Sequence, residues 1–288
     1  MRLLALFCWL LAFTAQPAAA ASSANLRPLE QQLAALLANR PGDYGVSALD
    51  LDTGEAVSVN GDKAFPMAST MKVAVAAAYL QQVDYGRRSL DDRIGSRSAR
   101  QLMEAMLIKS DNAATDMLMR DLGGPSGIQT WLSHNGFSNM RVDRTIARLL
   151  ADPRDLWDLR DSSTPNAMVA MLKQLDRGRV LKPHSRMYLL QTMGRCATGK
   201  NRIRGLLSPF TPVQHKTGTL NNYTSDVGYI TLPDGRRLAV AFFARGGTDR
   251  PRGIAEAART IYYGFATMVR QTFTAPAVLG GAPVLGAN

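Results

Sequence analysis

Apolar residues recur along the chain with two periods, and the order of these periods predicts which segments are helices and which are strands. Leucine and alanine recur at helical spacing from Leu26 to Asn39, and Arg40-Pro41-Gly42 ends that pattern. Apolar and polar residues then alternate on both sides of the turn Asp52-Thr53-Gly54, which predicts a β-hairpin over residues 44–59. We therefore expect one helix and then two antiparallel strands.

The helical period dominates from there to about residue 211, after which the strand pattern returns. The predicted helices cover residues 71–82, 102–107, 113–122, 128–134, 164–172, 185–194 and 254–270. The predicted strands cover residues 212–216, 223–232 and 237–245. Between residues 143 and 165 the periodicity is lost, which indicates a long charged loop.

This order predicts an α+β fold, in which an antiparallel sheet drawn from both ends of the chain is flanked by terminal helices. We assign residues 21–62 and 212–271 to this α/β subdomain, residues 63–211 to an inserted all-helical subdomain, and residues 272–288 to a flexible tail. The junction of two such parts commonly forms a cleft, so we expect the functional site there.

The first twenty residues have the composition of a secretory signal peptide. A basic start at Arg2 is followed by an apolar run over residues 3–13 and by the small-residue segment Gln16-Pro17-Ala18-Ala19-Ala20. The run is shorter than the roughly twenty apolar residues that span a bilayer, which favours cleavage over an uncleaved membrane anchor. We predict an exported protein, periplasmic or secreted, without a stable membrane span after cleavage.

Charge and cysteine content narrow the choice of partners. The net charge is +11, but the arginines are scattered, and only 7% of the residues are aromatic. A nucleic-acid site would need basic residues concentrated beside aromatic ones, so we expect no nucleic-acid partner. Cys196 is the only cysteine outside the predicted signal peptide, so no disulfide can form within the mature chain. We expect it to be a small, buried apolar side chain.

Ser69-Thr70-Met71-Lys72, at the start of a predicted helix, is the first candidate for chemistry. Side chains three apart on a helix lie one turn from each other, so the amine of Lys72 can take the proton of Ser69. The helix N-terminus also favours the anion that develops nearby. The ordinary alternative is a helix cap, because serine and lysine at this spacing recur by chance.

Two tripeptides strengthen the hypothesis of a serine nucleophile. Ser110-Asp111-Asn112 lies at a predicted helix start and Lys216-Thr217-Gly218 at the end of a predicted strand. Each is expected by chance roughly 0.04 times in a chain of this length, although a helix cap and a strand-end turn are their ordinary alternatives. The three segments, in this order, are the motif set of serine acyl-transfer enzymes that react with β-lactams.

With these motifs the chain resembles the class A β-lactamase family, part of the serine β-lactamase and penicillin-binding-protein superfamily, from about residue 45 to residue 265. Further segments that share the resemblance are Phe65-Pro66-Met67, Leu122-Gly123-Gly124-Pro125, Val142-Asp143-Arg144, residues 160–165 and residues 198–204. The resemblance implies a β-lactamase/transpeptidase-like fold and a covalent acyl-enzyme, with neither a cofactor nor a metal.

The resemblance also implies a role for each residue of the motifs. Ser69 would attack the lactam carbonyl, Lys72 would help to deprotonate it, and Ser110 would relay a proton to the leaving nitrogen. The backbone amides of Ser69 and Thr219 would form the oxyanion hole. The residues that would bind the substrate are Asn112, Arg202, Lys216, Thr217, Gly218 and Thr219.

One departure from the family affects the second half of the reaction. Class A enzymes release the acyl group with a water that a glutamate of the Ω loop activates, and Ile146 occupies that position here. No glutamate occurs between Glu104 and Glu256, so a local shift of the alignment cannot supply one. On this pattern the residues that acylation needs are present, whereas the base that deacylation usually needs is missing.

The acidic residues left in the loop are aspartates. Asp152, Asp155 and Asp158 are candidate bases, and their alternative is to be solvated residues on the face of the loop. Arg144 and Asp161 are expected to pair across the loop and so to preserve its shape.

Three hypotheses of function remain open. The first is a β-lactam-hydrolysing enzyme whose deacylation is slow or uses another base. The second is a peptidoglycan DD-peptidase or transpeptidase that acts on stem peptides and that β-lactams inhibit by stable acylation. The third, from another class, is a non-catalytic protein that binds the cell wall or β-lactams. We expect a monomer.

Overall fold

The computed structural model describes residues 24–273, and the elements below belong to that range. The α-helices are α1 Arg27–Ala38, α2 Lys72–Asp84, α3 Ala99–Ile108, α4 Asn112–Asp121, α5 Gly124–His134, α6 Ile146–Ala151, α7 Pro165–Asp176, α8 Pro183–Gly194 and α9 Arg250–Phe273. The strands are β1 Asp43–Asp50, β2 Ala56–Val59, β3 Phe65–Pro66, β4 Arg93–Ile94, β5 Arg97–Ser98, β6 Ser162–Ser163, β7 Val213–Leu220, β8 Tyr223–Thr231 and β9 Arg237–Arg245.

One antiparallel sheet joins the two ends of the described chain. Its strand order is β2-β1-β9-β8-β7, so the early strands lie beside the late ones. Val46 of β1 faces Phe242 of β9, and Ser225 of β8 faces Phe243. Nearly every residue of β8 and β9 is buried, because helices cover both faces of the sheet. The predicted α+β fold is confirmed.

A hydrophobic core lies on each face of the sheet. Helices α1 and α9 cover one face, where Leu33 and Phe242 are fully buried. The inserted helices cover the other face, where Tyr229 packs. Helix α2 lies at the centre of this second core and is buried from Lys72 to Gln81, because its alanines and valines let neighbours approach from every side.

The segment 143–165, predicted to be an irregular loop, contains the short helix α6. Thr145 caps this helix, since its Oγ1 accepts from the Arg148 amide at 3.2 Å. Ile146 and Leu149 are buried on its inner side. A helix of 6 residues is too short for its periodicity to stand out in the sequence.

Strand β7 is longer than predicted. It runs to Leu220 because pairing with β8 continues to Tyr223, so Lys216-Thr217-Gly218 lies within the strand and not at a strand-end turn.

Helix α9 continues to Phe273, so the tail predicted over residues 272–288 begins inside a helix. The rest of that tail and the predicted signal peptide, residues 1–20, lie outside the described residues. The subdomain boundaries near residues 62 and 211 stay a prediction. Between residues 24 and 273, no helix combines the length and the hydropathy needed to cross a membrane.

Candidate active site

Ser69 lies in a 3₁₀ turn, Ala68–Met71, that leads into α2 and contacts β7 and β8. Ala68 has a φ of 50°, a left-handed conformation that costs a non-glycine residue free energy. The neighbouring carbonyl of Met67 is held from two sides, by Thr70 Oγ1 at 2.7 Å and Ser225 Oγ at 3.0 Å. Bonds to adjacent segments therefore stabilise the strained backbone that presents the partly exposed Ser69.

Gly218 allows β7 to approach this turn closely. A Cβ atom at residue 218 would lie 2.3 Å from Ser225 Oγ and 2.6 Å from the carbonyl oxygen of Met67. Any side chain would therefore push the strand away from the nucleophile. The role of Gly218 is to let the backbone of β7 border the site.

Lys72 is buried one helical turn from Ser69. Its Nζ donates to the Ser110 carbonyl at 2.8 Å, to Ser110 Oγ at 3.2 Å and to Asn112 Oδ1 at 2.7 Å. Burial, and then the positive charge of Lys216, lower the pKa of Lys72 to about 7. A large fraction of this amine is therefore neutral near pH 7 and can accept a proton.

Ser110 connects the two lysines of the motifs. Its Oγ accepts from Lys72 Nζ at 3.2 Å and from Lys216 Nζ at 2.9 Å. The turn is fixed because Asp111 caps α4, accepting from the Ala114 amide at 2.8 Å. A hydroxyl that accepts from two amines has its own proton left to donate, which is the requirement for a proton relay.

Lys216 is fully buried and also donates to the Thr217 carbonyl at 2.8 Å. Burial lowers the pKa of Lys216 to about 8, although the negative charges of Cys196 and Asp226 oppose the shift. Most of this amine is therefore charged at pH 7. It supplies a cation beside Ser110, in a position suited to binding an anionic group.

Arg202 is held against the outer end of β7, with 9% of its surface exposed. Its guanidinium donates through NH1 to the carbonyls of Gly218 at 2.9 Å and Ser225 at 2.8 Å, and through NH2 to Thr219 Oγ1 at 2.6 Å. The NH2 group, beside the exposed Thr219, is thus the part of Arg202 that lies next to accessible surface.

The amides of Ser69 and Thr219, predicted to form the oxyanion hole, belong to the 3₁₀ turn and to β7, which contact each other. β7 is the edge strand of the sheet. An edge strand leaves alternate N–H groups without a ladder partner, and such fixed donors are what an oxyanion hole needs.

Comparison with known proteins agrees with this arrangement. The family model described as the "Beta-lactamase enzyme family" matches residues 28–265. The chain belongs to the β-lactamase enzyme family. The extended-spectrum β-lactamase PER-1 of Pseudomonas aeruginosa is 28% identical, over 84% of this chain and 88% of its own length.

A β-lactamase of Kitasatospora aureofaciens is 31% identical over 82% of each chain. Among solved structures, an ancestral class A β-lactamase is 34% identical with a TM-score of 0.78, and it covers 82% of this chain and all of its own. Both the sequence and the fold are therefore those of the β-lactamase family.

The Ω loop of this β-lactamase-family chain is held by arginine–aspartate pairs. Arg144 Nε donates to Asp161 Oδ2 at 2.7 Å, and Asp161 Oδ1 accepts from the amides of Asp143 at 2.8 Å and Arg144 at 3.0 Å. NH1 and NH2 of Arg144 also lie 3.4 Å from Asp152 and 3.5 Å from Asp158. The structure thus brings Arg144 and Asp161 together, as the sequence predicts.

The three candidate bases of the loop are engaged elsewhere. Asp152 pairs with Arg148 at 2.7 Å, and Asp158 pairs with Arg160 at 2.8 Å. Hydrogen bonds from Arg160 hold the pKa of Asp158 well below its ordinary range. Asp155 caps the turn that follows it through its own Oδ1. A carboxylate stabilised in its charged form is a poor proton acceptor, so this environment disfavours Asp158 as a base, and Asp152 is occupied by its arginine pairs.

Ile146, at the position of the family glutamate, is 2% exposed and belongs to the helical core. Asp116, which sequence reasoning did not single out, accepts from the Ile146 amide at 2.6 Å and from the Ala147 amide at 2.9 Å. Asp116, a residue of α4, thus caps the N-terminus of α6. The sequence could have indicated this residue by its spacing, because it lies four residues after Asn112 and so on the same face of α4.

Proposed function

We propose that this β-lactamase-family enzyme opens the β-lactam ring through a covalent acyl-enzyme on Ser69. The observation that carries the proposal is the buried pair Lys72 and Lys216, joined through Ser110 Oγ next to the turn of Ser69. One amine is poised to lose and regain a proton near pH 7, and the other stays charged. Serine acylation requires both a group that accepts the serine proton and a fixed cation that binds the substrate.

The first half of the reaction follows from these positions. The neutral amine of Lys72 takes the proton of Ser69 as Oγ attacks the lactam carbonyl. The oxyanion is stabilised by the amides of Ser69 and Thr219. When the C–N bond breaks, Ser110 donates its proton to the leaving nitrogen and is reprotonated from the adjacent amines.

Substrate binding is assigned to residues around the same serine. Lys216, Thr217 and Thr219 provide a cation and two hydroxyls for the carboxylate of a β-lactam, and Arg202 acts through NH2 beside Thr219. Asn112 contributes its side-chain amide, whose orientation is set by the bond from Lys72 to Oδ1.

The second half of the reaction is expected to be slow. Ile146 offers no carboxylate to a hydrolytic water, and the carboxylates of Asp152 and Asp158 are paired with arginines. General-base assistance is worth about a hundredfold to ten-thousandfold in rate. We therefore expect the acyl-enzyme to accumulate.

The same observation favours a second candidate function. An enzyme that acylates rapidly and deacylates slowly behaves towards β-lactams as a penicillin-binding protein does. Under this alternative the natural substrate is a peptidoglycan stem peptide, and the β-lactam is an inhibitor.

A stopped-flow trace with a chromogenic cephalosporin, combined with intact mass during turnover, tests the proposal. The expected result is a burst of one equivalent, a mass increase that corresponds to one opened substrate, and a slower steady rate. Absence of any adduct and of any turnover contradicts the proposal. An adduct that persists for hours, together with release of the terminal D-alanine from a stem pentapeptide, favours the second candidate.

Export after cleavage near residue 20 and a monomeric state belong to the same proposal. Export rests on the composition of residues 1–20, and the monomeric state on a site whose residues all belong to one chain. N-terminal sequencing of protein recovered outside the cytoplasm and light scattering of the purified protein test them separately.

A further inference from the structure

One strongly basic surface plays no part in the mechanism above. The segment of residues 173–186 covers the end of α7, the following turn and the start of α8, and it contains five lysines and arginines but a single acid. Four of these cations are exposed and one is partly buried. We call the five the basic patch: Lys173, Arg177, Arg179, Lys182 and the partly buried Arg186.

The fold brings the two ends of this segment together. Arg186 NH1 donates to the carbonyl of Asp176 at 2.6 Å. A Cβ atom at Gly178 would lie 3.3 Å from the same nitrogen. The start of α8 therefore packs against the end of α7, and the cations of both helices form one surface.

The acids near the patch are occupied by other groups. The carboxylate of Asp176 pairs with Arg237 of β9. The carboxylate of Asp84, at the end of α2, accepts from the Lys182 amide at 2.7 Å and from Ser185 Oγ at 2.5 Å. Within residues 24–273, no carboxylate lies within ion-pair distance of an exposed cation of the patch. The positive charge of this surface is therefore not neutralised by the described part of the chain.

The position of these cations does not favour folding. Lys182 is the N-cap residue of α8, Arg186 lies four residues further, and the first turn of the helix contains no acid. The N-terminus of a helix carries a partial positive charge, so cations there reduce the stability of the helix. The macrodipole of α7 accounts only for cations in its last turn, such as Lys173. Cations gathered against the preference of the fold indicate that the surface binds an anionic partner.

Exposed apolar side chains border the patch and narrow the choice of partner. Met187, next to Arg186, is 52% exposed, and Tyr85, next to Asp84, is 59% exposed. Met187 lines an open depression of about 590 Å³ together with His184 and Arg186. Cations beside an exposed thioether and a tyrosine ring suit the interface of a bilayer, where lipid phosphates lie next to acyl chains.

The patch lies at the opposite end of α2 from the proposed active site. This helix begins with Lys72, beside the turn of Ser69, and ends with Asp84, which binds the start of α8. A helix of 13 residues is roughly 20 Å long. A surface that contacts the patch therefore lies about one helix length from the nucleophile.

We propose that the basic patch binds the surface of a bilayer that contains anionic phospholipids, and so holds the exported protein at the membrane. The guanidinium and ammonium groups bind lipid phosphates. Met187 and Tyr85 enter the layer between the head groups and the acyl chains. The biological setting rests on the proposed export, whereas the binding itself needs only the folded chain and is independent of the function proposed for Ser69.

Sedimentation with vesicles, using the chain from residue 21 onward, tests the binding. The protein should bind vesicles that contain phosphatidylglycerol, and it should not bind vesicles of phosphatidylcholine, which carry no net charge. Raising sodium chloride from about 0.1 M to about 1 M shortens the Debye length from about 10 Å to about 3 Å, so most of the bound protein should be released. Equal binding to both kinds of vesicle, or no binding to either, overturns the proposal.

Matched variants test whether the patch is the binding surface. Each lysine or arginine at an anionic bilayer strengthens binding by about fivefold, so Arg179→Gln with Lys182→Gln should weaken it by about thirtyfold. Arg27→Gln with Arg259→Gln removes the same charge from exposed residues of α1 and α9, on the opposite face of the sheet, and should weaken binding at most about twofold. Circular dichroism should show both double variants folded, because all four side chains are exposed. Equal weakening in both would mean that net charge alone controls binding, which contradicts the proposal.

Met187→Ser distinguishes a bilayer from a soluble polyanion. The change should weaken vesicle binding by about fivefold, because a half-exposed methionine side chain no longer enters the apolar layer. Binding to inorganic polyphosphate should stay the same, because a polar chain offers no apolar layer. If Met187→Ser binds vesicles as tightly as the unaltered protein, and polyphosphate at equal phosphate concentration displaces the protein from vesicles, the partner is a soluble polyanion and the proposal is wrong.

Discussion

The cluster around Ser110 and the Ω loop both contain buried positive charges, but their partners differ. The amines of Lys72 and Lys216 are hydrogen-bonded to hydroxyl, carbonyl and amide oxygens. The guanidinium of Arg144 instead faces the carboxylates of Asp152, Asp158 and Asp161. The difference matters because neutral partners leave the pKa of a buried amine low, whereas carboxylates hold a cation in its charged form.

The comparison explains why one region is suited to proton transfer and the other to holding a shape. A group whose pKa lies near the working pH can gain and lose a proton at little cost. An arginine–aspartate pair can do neither, but it fixes the backbone segments that carry it. Acylation should therefore be fast and depend on pH, and deacylation should lack a proton acceptor.

The largest expected effect is the loss of acylation in Ser69→Ala. Ser69 is the serine of the Ser-x-x-Lys motif, whereas Ser110, the other serine beside Lys72, is assigned the proton relay. Intact mass after incubation with a penicillin should show no adduct, whereas Ser126→Ala, at an exposed serine, should be labelled like the unaltered protein. A penicilloyl adduct on the alanine variant would contradict the assignment.

Ile146→Glu tests the missing base directly. A carboxylate at this position should shorten the lifetime of the acyl-enzyme by about a hundredfold to ten-thousandfold, since it can draw a proton from water. The matched control is Ile146→Gln, which has nearly the same shape and no basic oxygen. The decay of the adduct mass is the measurement, and equal decay in both variants would show that reshaping the loop, not a base, controls deacylation.

Asp161→Asn should destabilise the protein by about 3–5 kcal/mol, because it leaves the buried guanidinium of Arg144 without its main counter-ion. Asp91→Asn is the control, since Asp91 is 81% exposed and pairs with Arg100 at 3.5 Å. That change should cost less than about 1 kcal/mol. Urea unfolding measures both. If Asp161→Asn lowers the free energy of unfolding by less than about 1 kcal/mol, Asp152 and Asp158 are sufficient counter-ions for Arg144.

Arg202→Ala should slow acylation by about tenfold to a hundredfold, the loss expected for about 1.5–3 kcal/mol of charged hydrogen bonding. The control is a second substrate, a penicillin methyl ester, which has no carboxylate for Arg202 to bind. Its acylation rate should be almost the same in Arg202→Ala as in the unaltered protein. An equal loss with both substrates would show that Arg202 acts by holding β7 and not by binding the carboxylate.

The acylation rate should rise about sixfold between pH 6 and a maximum near pH 7.5. The neutral form of Lys72 is the active one, so the rate increases as pH passes its pKa of about 7. Above about pH 7.5 the rate should fall, since Lys216, with a pKa of about 8, loses its charge. Stopped-flow acylation from pH 5.5 to pH 9, with circular dichroism as the folding control, measures the profile. A flat profile below pH 8 would exclude Lys72 as the base.

Sequence alone determined the order of the longer helices and strands, the three motifs and the absence of a glutamate at residue 146. These features are local, since periodicity and short motifs depend on residues close in the chain. The nucleophile hypothesis rested on the three motifs together, because a serine and a lysine at this spacing alone recur by chance.

Tertiary structure alone decided which charges are neutralised and by what. Ser110 meets lysines 38 and 106 residues away, and Arg144 meets Asp161 across 17 residues. Cys196, expected to be a small buried apolar side chain, is only partly buried, and its Sγ lies 3.4 Å from Thr198 Oγ1, so that prediction is wrong. Burial and long-range neighbours determine a pKa, and neither can be read from adjacent residues. Asp152 and Asp158, two of the candidate bases in the sequence, are therefore counter-ions in the fold.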